Sequence, residues 1–248
     1  MKAIILYFQF FTAIPIPIPI GDVEETFREG VYFFPIFAFI YGGIHALLFY
    51  LLSLCFPISI VWVLMLAFDV VITRGFHYDA LSDMVDGMFS SRKKEQILEI
   101  MKDSNIGAMG VLGLILYFLG MVQFGNCNLE RQSILWEQVK YIWVMKTLSR
   151  GGLCFLLMNY TYSGASQGLG TMLIGIKTWK VLLAQAMFGG VAVLLGGWPY
   201  LGVYLIVLIL LLIYRAWILR SLDGLNGDTI GASTLLGEWC LHLLFTAL

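Results

Sequence analysis

The sequence of residues 200–220 is YLGVYLIVLILLLIYRAWILR, an apolar stretch with two arginines near its end. A helix of this length rises about 1.5 Å per residue and crosses the roughly 30 Å hydrocarbon core of a bilayer. The sequence therefore predicts an all-α fold, a polytopic integral membrane helical bundle of about seven transmembrane spans after a short N-terminal apolar segment. The other six predicted spans lie at about 31–55, 58–74, 107–125, 134–158, 179–197 and 229–247.

The composition of the whole chain also indicates a membrane environment. Of its 248 residues, 60% are hydrophobic and 12% are charged, and the mean hydropathy is +0.86. This is more apolar surface than a soluble core of that size buries. Residues 1–248 are predicted to form a single integral membrane domain with the lipid bilayer as its solvent. The net charge of -1 shows no basic excess, so no nucleic acid is expected as a partner.

The basic residues predict the orientation of the bundle. Eleven of the fifteen lysines and arginines lie in or beside the loops at 21–30, 74–106, 150–180 and 215–228. The loops on the opposite side carry only Arg131. Since cytoplasmic loops are enriched in Lys and Arg, the first set is predicted to face the cytoplasm. The span at 134–158 is the ambiguous one, because charged residues make its first half amphipathic and suited to the membrane interface.

Three aspartates follow the span that ends at Arg74. Asp79, Asp83 and Asp86 stand at positions i, i+4 and i+7, which places them on one face of a helix. Such close carboxylates repel one another unless a cation lies among them, and Mg²⁺ prefers carboxylate oxygens combined with substrate phosphates. A metal site is therefore predicted here. The alternative is a solvated acidic face, which would usually include Lys or Arg, whereas none occurs between Arg74 and Arg92.

A second polar segment leads into the span at 107–125. Glu99 and Asp103 are one helical turn apart and precede a glycine-rich helix start, with Lys102 and Ser104 beside them. They are either further metal or phosphate contacts or, for Asp103 and Ser104, ordinary helix caps. The nearby basic run at 92–94 is interpreted as a topology anchor, with phosphate binding as the alternative.

A glycine-rich segment precedes the last span. Gly227, Asp228 and Thr229 lie in the sequence SLDGLNGDTIGA at 221–232. Free backbone N–H groups at the positive end of a helix can bind phosphate, so this segment is a candidate anion site. The alternative is that Asp228 or Thr229 only caps the helix.

Several ionisable residues fall inside apolar stretches. Glu238 lies about ten residues into the last span, where a carboxylate costs several kcal/mol unless it has a partner. It belongs either to the site or to a buried polar network. Arg150 and Arg215 equally need a phosphate or a carboxylate as a partner. His45 is expected to be a packed or interfacial histidine. No nucleophile elbow, HExxH motif or P-loop occurs, so the residues together favour metal-assisted phosphoryl transfer.

These segments resemble the cobalamin synthase family of adenosylcobinamide-GDP ribazoletransferases. The family's first motif, R-G-x-H-x-D-G-x-x-D-x-x-D-G, is matched at Arg74, Gly75, His77, Asp79, Asp83, Asp86 and Gly87, with Ala80 in place of a glycine. Its second, L-E-I-M-K-D-S-x-x-G, is matched at 98–104 and Gly107. Its third, G-D-T-x-G-A and a later glutamate, is matched at 227–229, 231–232 and Glu238, whereas 159–178 matches poorly.

The resemblance implies that adenosylcobinamide-GDP and α-ribazole or its 5′-phosphate are the substrates, that GMP is released, and that Mg²⁺ is the cofactor. It also implies a multi-pass protein of a prokaryotic inner membrane with a cytoplasmic active site. The expected catalytic residues are Asp83, Asp86 and His77. The expected metal ligands are Asp79, Asp83, Asp86, Asp103, Asp228, Glu238 and Glu99. The expected substrate or phosphate contacts are Arg74, Lys102, Ser104, Gly227, Thr229 and Arg150.

Two other functions are alternatives. A CDP-alcohol phosphatidyltransferase also has an aspartate-rich helix, but its D-x-x-D-G-x-x-A-R pattern fails at Phe89 and Ser90. An ion or metabolite carrier would usually place its charged residues near the middle of the bilayer, whereas this cluster lies at the end of a span. The oligomeric state stays open, with a homo-oligomer as one alternative.

Overall fold

The fold is described from a computed structural model for residues 1–90, 93–164 and 169–248, without the side chain of Leu169. This part of the chain contains no β-strand, which confirms the all-α class. It forms eleven α-helices: α1 Lys2–Phe11, α2 Val23–Glu29, α3 Phe34–Ser53, α4 Ile58–Ile72, α5 Phe76–Ser90, α6 Lys94–Ile100, α7 Ala108–Glu130, α8 Leu135–Leu156, α9 Thr178–Val191, α10 Trp198–Leu222 and α11 Gly227–Phe245.

Four helical segments in the described residues are long and apolar enough to cross a membrane. They are Val31–Ser53, Ala108–Glu130, Thr178–Gly196 and Trp198–Leu222. Helices α4 and α5 would together make a fifth, but they meet at an angle of 87°. A polytopic membrane bundle is thus confirmed. All seven predicted spans are helical, although fewer than seven meet this criterion. The apolar N-terminal segment forms α1, whose ten residues are too short to cross a bilayer.

The break between α4 and α5 determines where the acidic motif lies. Helix α4 ends at Ile72, and Arg74 and Gly75 adopt positive φ angles of 54° and 71°. Glycine adopts this conformation without a Cβ penalty, whereas for Arg74 it costs roughly 1–2 kcal/mol. The chain therefore turns sharply, and α5 packs against α7 and α11 instead of continuing along α4.

Helices α8 and α11 form the centre of the bundle. Helix α8 packs against α3, α9 and α11, and its residues from 141 to 156 are almost all buried. The charged first half of this segment was expected to lie partly along the membrane interface, but Lys146 is 1% exposed and lies inside the bundle. Of the charged side chains of α8, Glu137 and Lys140 form an ion pair with an N–O distance of 2.7 Å and are partly exposed. Lys146 and Arg150 are buried.

The start of α7 is held by Asp86. Its two carboxylate oxygens accept hydrogen bonds from the backbone N–H groups of Gly107 (2.7 Å) and Gly110 (2.8 Å). A Cβ atom at either glycine would come within 2.5 Å of the Asp86 side chain, so these glycines allow the close approach. The carboxylate interacts favourably with the positive end of the helix. Asp86 thus joins α5 to α7.

We expect Asp86→Ala to lower the free energy of unfolding by about 2 kcal/mol, because it removes two charge-assisted hydrogen bonds from a buried helix start. The measurement is the thermal unfolding of the detergent-purified protein. The matched control is Asp22→Ala, which removes an exposed cap from α2, where Asp22 Oδ1 accepts from Glu25 N at 2.8 Å. An effect no larger than that of the control would contradict this role of Asp86.

Candidate active site

Two cavities lie beside α5. The first, here called the aromatic cavity, has a volume of about 280 Å³ and is lined by Phe10, Phe11, Phe27, Phe76, Tyr162 and Asp228, among others. The second, the polar cavity, has a volume of about 840 Å³ and is lined by Arg74, Asp79, Asp83, Lys102, Asp103 and Ser104, among others. Phe10, Phe76, Asp79 and Lys102 line both cavities. The two cavities therefore adjoin at these residues.

The carboxylates of α5 and α11 come together at these cavities. Asp79 lines both cavities, Asp83 lines the polar one, and Asp228 at the start of α11 lines the aromatic one. Burial, and then the negative charge of Asp79, raise the pKa of Asp228 to about 6. Asp83 is within electrostatic reach of Asp79, Asp228 and Asp86. The first and third sequence motifs, about 150 residues apart, thus form one acidic site.

Asp79, Asp83 and Asp228 supply carboxylates to the linings of the two cavities, and one or two of them would hold a Mg²⁺ ion that is shared with a substrate. Mg²⁺ is usually held by one or two carboxylates, with water and substrate phosphates completing its shell. In the described part of the chain, no three His, Cys, Asp or Glu side chains are close enough to form a complete metal site from protein groups alone. Asp86, another expected ligand, accepts hydrogen bonds from the backbone amides of Gly107 and Gly110 at the start of α7.

The second motif supplies the basic and hydroxyl groups of the polar cavity. Lys102 and Ser104 are exposed on its lining. Asp103 also lines it, and accepts hydrogen bonds from the backbone (2.9 Å) and side chain (2.8 Å) of Asn105, which lower the pKa of Asp103. Glu99 is exposed on α6 and lines neither cavity. Of the four residues predicted from this motif, Lys102, Asp103 and Ser104 therefore line the polar cavity and Glu99 does not.

The start of α11 carries a helix cap and a glycine beside a cavity, but the N-cap residue is Asn226 rather than Asp228 or Thr229. Asn226 and Thr229 form a capping box, in which Thr229 N donates to Asn226 Oδ1 at 2.9 Å and Asn226 N donates to Thr229 Oγ1 at 2.9 Å. Thr229 is fully buried in this cap, so its hydroxyl does not line a cavity. Gly227 does line the aromatic cavity, and a Cβ there would meet open space.

His77, an expected catalytic residue, lies apart from both cavities. Its ring is 2% exposed, stacks on Phe11 with ring centroids 5.8 Å apart, and lines neither cavity. Its Nδ1 atom lies 3.8 Å from where a Cβ on Gly231 would stand. Ala80, which replaces the glycine of the family motif, packs at the same place, since that Cβ would come within 2.6 Å of it. Close packing of α5 on α11 therefore accounts for both residues.

Glu238 and Arg150, expected at the site, instead belong to a buried ionic network between α4, α8 and α11. Lys146 Nζ lies 2.6 Å from Glu238 Oε1 and 3.0 Å from Asp69 Oδ1. Arg150 lies 3.4 Å from Asp69 and 3.5 Å from Glu238. None of these four side chains is more than 3% exposed, and none lines either cavity. The structure thus favours the network over the site for Glu238.

Asp69 is a member of the network that the sequence motifs do not include. Its Oδ1 accepts a hydrogen bond from Tyr41 (2.5 Å) and lies 3.1 Å from Nε2 of His45, and its Oδ2 accepts one from Tyr78 (2.9 Å). The argument applied to Glu238, that a carboxylate in an apolar span needs a buried partner, would have found it. Tyr78 links the network to α5, one residue before Asp79.

Described residues on either side of 165–168 in the region 159–178, among them Tyr162 and Leu173, contribute to the wall of the aromatic cavity. Ser163 N donates to Leu225 O (2.9 Å), and Leu225 N donates to Thr161 O (2.7 Å), so the chain around Tyr162 lies along the start of α11.

Arg215 was expected to need a partner, and it donates hydrogen bonds to the carbonyl groups of Met158 and Asn159. Lys94 pairs with Asp223 at 3.0 Å, while Arg92 lies outside the described residues.

The fold and the site define a polytopic helical membrane protein with an acidic cavity beside α5. The chain belongs to the cobalamin-5-phosphate synthase family, whose model matches residues 3–246, and this confirms the resemblance seen in its motifs. A relative from Listeria monocytogenes, described as an adenosylcobinamide-GDP ribazoletransferase, is 38% identical over 99% of both chains. A relative with the same description from Listeria welshimeri is 36% identical over 99% of both chains. Another from Clostridium novyi is 35% identical over 96% of this chain and 94% of the relative. No solved structure matches the chain.

Proposed function

We propose that this protein transfers the adenosylcobinamide phosphoryl group of adenosylcobinamide-GDP to α-ribazole or α-ribazole 5′-phosphate, the last assembly step of cobalamin biosynthesis. A ribose hydroxyl oxygen forms a bond to the phosphorus that carries cobinamide, and the bond from that phosphorus to the oxygen of GMP breaks. Full-length similarity to ribazoletransferases supports the substrates. The observation that carries the chemistry is that Asp79, Asp83 and Asp228 line the two adjoining cavities.

The residues of the polar cavity suit a diphosphate. Arg74 and Lys102 supply positive charge, and Ser104 supplies a hydrogen-bond donor. In this proposal, one or two of the carboxylates of Asp79, Asp83 and Asp228 would hold the metal ion. Mg²⁺, when bound, neutralises the charge of the diphosphate and of the leaving GMP. Asp79 is the proposed acceptor of the ribose hydroxyl proton, because it lines both cavities whereas His77 lines neither.

The test is GMP release by the purified protein in lipid nanodiscs. We expect GMP only when adenosylcobinamide-GDP, α-ribazole and Mg²⁺ are all present, and loss of release when EDTA removes the metal. The same protein in sealed liposomes should show no cation flux. GMP release that does not depend on α-ribazole would indicate a hydrolase, and flux without turnover would indicate a carrier.

The proposed location is a prokaryotic inner membrane with both cavities open to the cytoplasm, as the distribution of basic residues predicts. In a variant that keeps Cys55 as its only native cysteine, a membrane-impermeant thiol reagent should label Ser90→Cys from the cytoplasmic side alone. Exposed Cys55, between α3 and α4, is the internal control and should label only from outside. Labelling of both positions from the same side would contradict this orientation.

A further inference from the structure

Apart from Asp79, Lys102, Asn226 and Asp228, the side chains that line the aromatic cavity are apolar or aromatic, so its chemistry points to a part of the substrates other than the diphosphate. Phe10 packs against Phe11, Phe27 and Phe76, with ring centroids 4.8, 5.9 and 5.5 Å apart. The side chain of Tyr162 adds a further ring to the lining. Such a cavity favours a flat, apolar ligand, which gains from burial and from edge-to-face contact with the rings.

The polar groups of the other substrate make its base and macrocycle a poorer match to this cavity. A corrinoid macrocycle is far larger than a benzimidazole base and carries polar amide side chains, which the apolar lining would leave without partners. A guanine base would bring several donors and acceptors among phenylalanine rings, where an unpaired polar group is costly. The amide of Asn226, on the same lining, is already engaged with Thr229 N and the sulfur of Met101. The larger polar cavity, with Arg74 and Lys102, suits the nucleotide diphosphate better.

We infer that the aromatic cavity binds the dimethylbenzimidazole base of α-ribazole, while the polar cavity binds the diphosphate of adenosylcobinamide-GDP. The inference rests on the proposed function. Its geometric basis is that Asp79 and Lys102 line both cavities. A nucleoside whose base lies in the aromatic cavity therefore extends its ribose toward these two residues, where the phosphorus of the other substrate lies. The two cavities thus separate recognition of the lower base from recognition of the nucleotide.

The first test uses the wild-type protein and a series of α-ribosides. Removal of each methyl group from the benzimidazole should raise the KM for the riboside about fourfold, the change expected for loss of one buried methyl group. The KM for adenosylcobinamide-GDP should stay within twofold. Equal KM values along the series would overturn the inference, and they do not depend on any variant being folded.

The second test fills the cavity. Leu173 lines only the aromatic cavity, and Leu114 lines the polar cavity but not the aromatic one. Leu173→Trp should raise the KM for α-ribazole at least tenfold and leave that for adenosylcobinamide-GDP within twofold. The matched control, Leu114→Trp, should leave the KM for α-ribazole within twofold. If Leu173→Trp raised the KM for adenosylcobinamide-GDP and left the KM for α-ribazole unchanged, the cavity would belong to adenosylcobinamide-GDP and the inference would be overturned.

Direct binding separates failure of this inference from failure of the proposed function. Calorimetry with α-ribazole alone should show binding to the wild type that is at least tenfold weaker in Leu173→Trp. If the wild type releases no GMP, the proposed function fails, yet the binding result still tests the cavity. If the wild type turns over but α-ribazole binds both proteins equally, only the inference fails, and a lipid chain becomes the better occupant.

Discussion

Asp79→Asn is expected to reduce GMP release at least a hundredfold, the largest expected effect of any single substitution on activity. Asp79 lies where the two cavities adjoin, so its charge can serve both the metal ion and the attacking hydroxyl. A hundredfold loss corresponds to about 2.7 kcal/mol of transition-state stabilisation. The fold should be retained or slightly stabilised, because the substitution relieves repulsion with Asp83 one turn along α5.

The measurement is GMP release against Mg²⁺ concentration for the wild type and the variant, with thermal unfolding measured in parallel. Asp83→Asn should change activity in the same direction. Glu99→Gln is the matched control, since this exposed carboxylate lies on α6 and lines neither cavity, and its variant should retain wild-type turnover. Turnover of Asp79→Asn within a factor of three of wild type at every Mg²⁺ concentration would refute the proposed role of this carboxylate.

Glu238→Gln is expected to have the largest effect on stability, a loss of about 3–5 kcal/mol in the free energy of unfolding. The substitution leaves Lys146 and Arg150 with Asp69 as the remaining carboxylate of the network, so one positive charge is buried without compensation. The folded yield should fall sharply. Protein that does fold should retain most of its specific activity, because Glu238 lines neither cavity.

A charge-balanced double variant provides the critical comparison. Adding Lys146→Met to Glu238→Gln leaves Asp69 paired with Arg150, so the double variant should be more stable than Glu238→Gln alone. The control for the substitution itself is Glu137→Gln, which breaks an ion pair in which Glu137 is 47% exposed and should cost less than about 1 kcal/mol. Normal folded yield with lost turnover in Glu238→Gln would instead place this residue in the catalytic site.

The positions of two carboxylates of the site could be predicted from the sequence. The i, i+4 spacing of Asp79 and Asp83 is a local property of one helix, and the structure places both at the polar cavity. Asp86 shares that face, yet its carboxylate binds the start of α7. Helical periodicity shows which side chains share a face, but the neighbouring element decides which of them stays free. The motif contains no information about that neighbour.

The buried charges show the same division between local and distant information. The depth of Glu238 in an apolar helix predicts that it needs a partner. The identity of that partner, Lys146, depends on how α8 packs against α11, nearly 100 residues along the chain. Tertiary packing also explains why the charged segment at 134–158 lies inside the bundle. Two positive and two negative side chains compensate one another there, so a helix with buried charges can form the centre of the bundle.

By itself, the sequence determined that this protein is a helical membrane bundle, that its carboxylates gather near one end of a span, and that it resembles the cobalamin synthase family. These properties depend on hydrophobic length, on helical spacing and on motif order, all of which are written along a single chain. Only the tertiary structure decided that Asp228 lines the same cavity as Asp79, and that the segment around Tyr162 lines it too. It also decided that Glu238 and Arg150 lie in a buried ionic network. Those outcomes require residues far apart in sequence to meet, and the distances between them are set by the packing of whole helices.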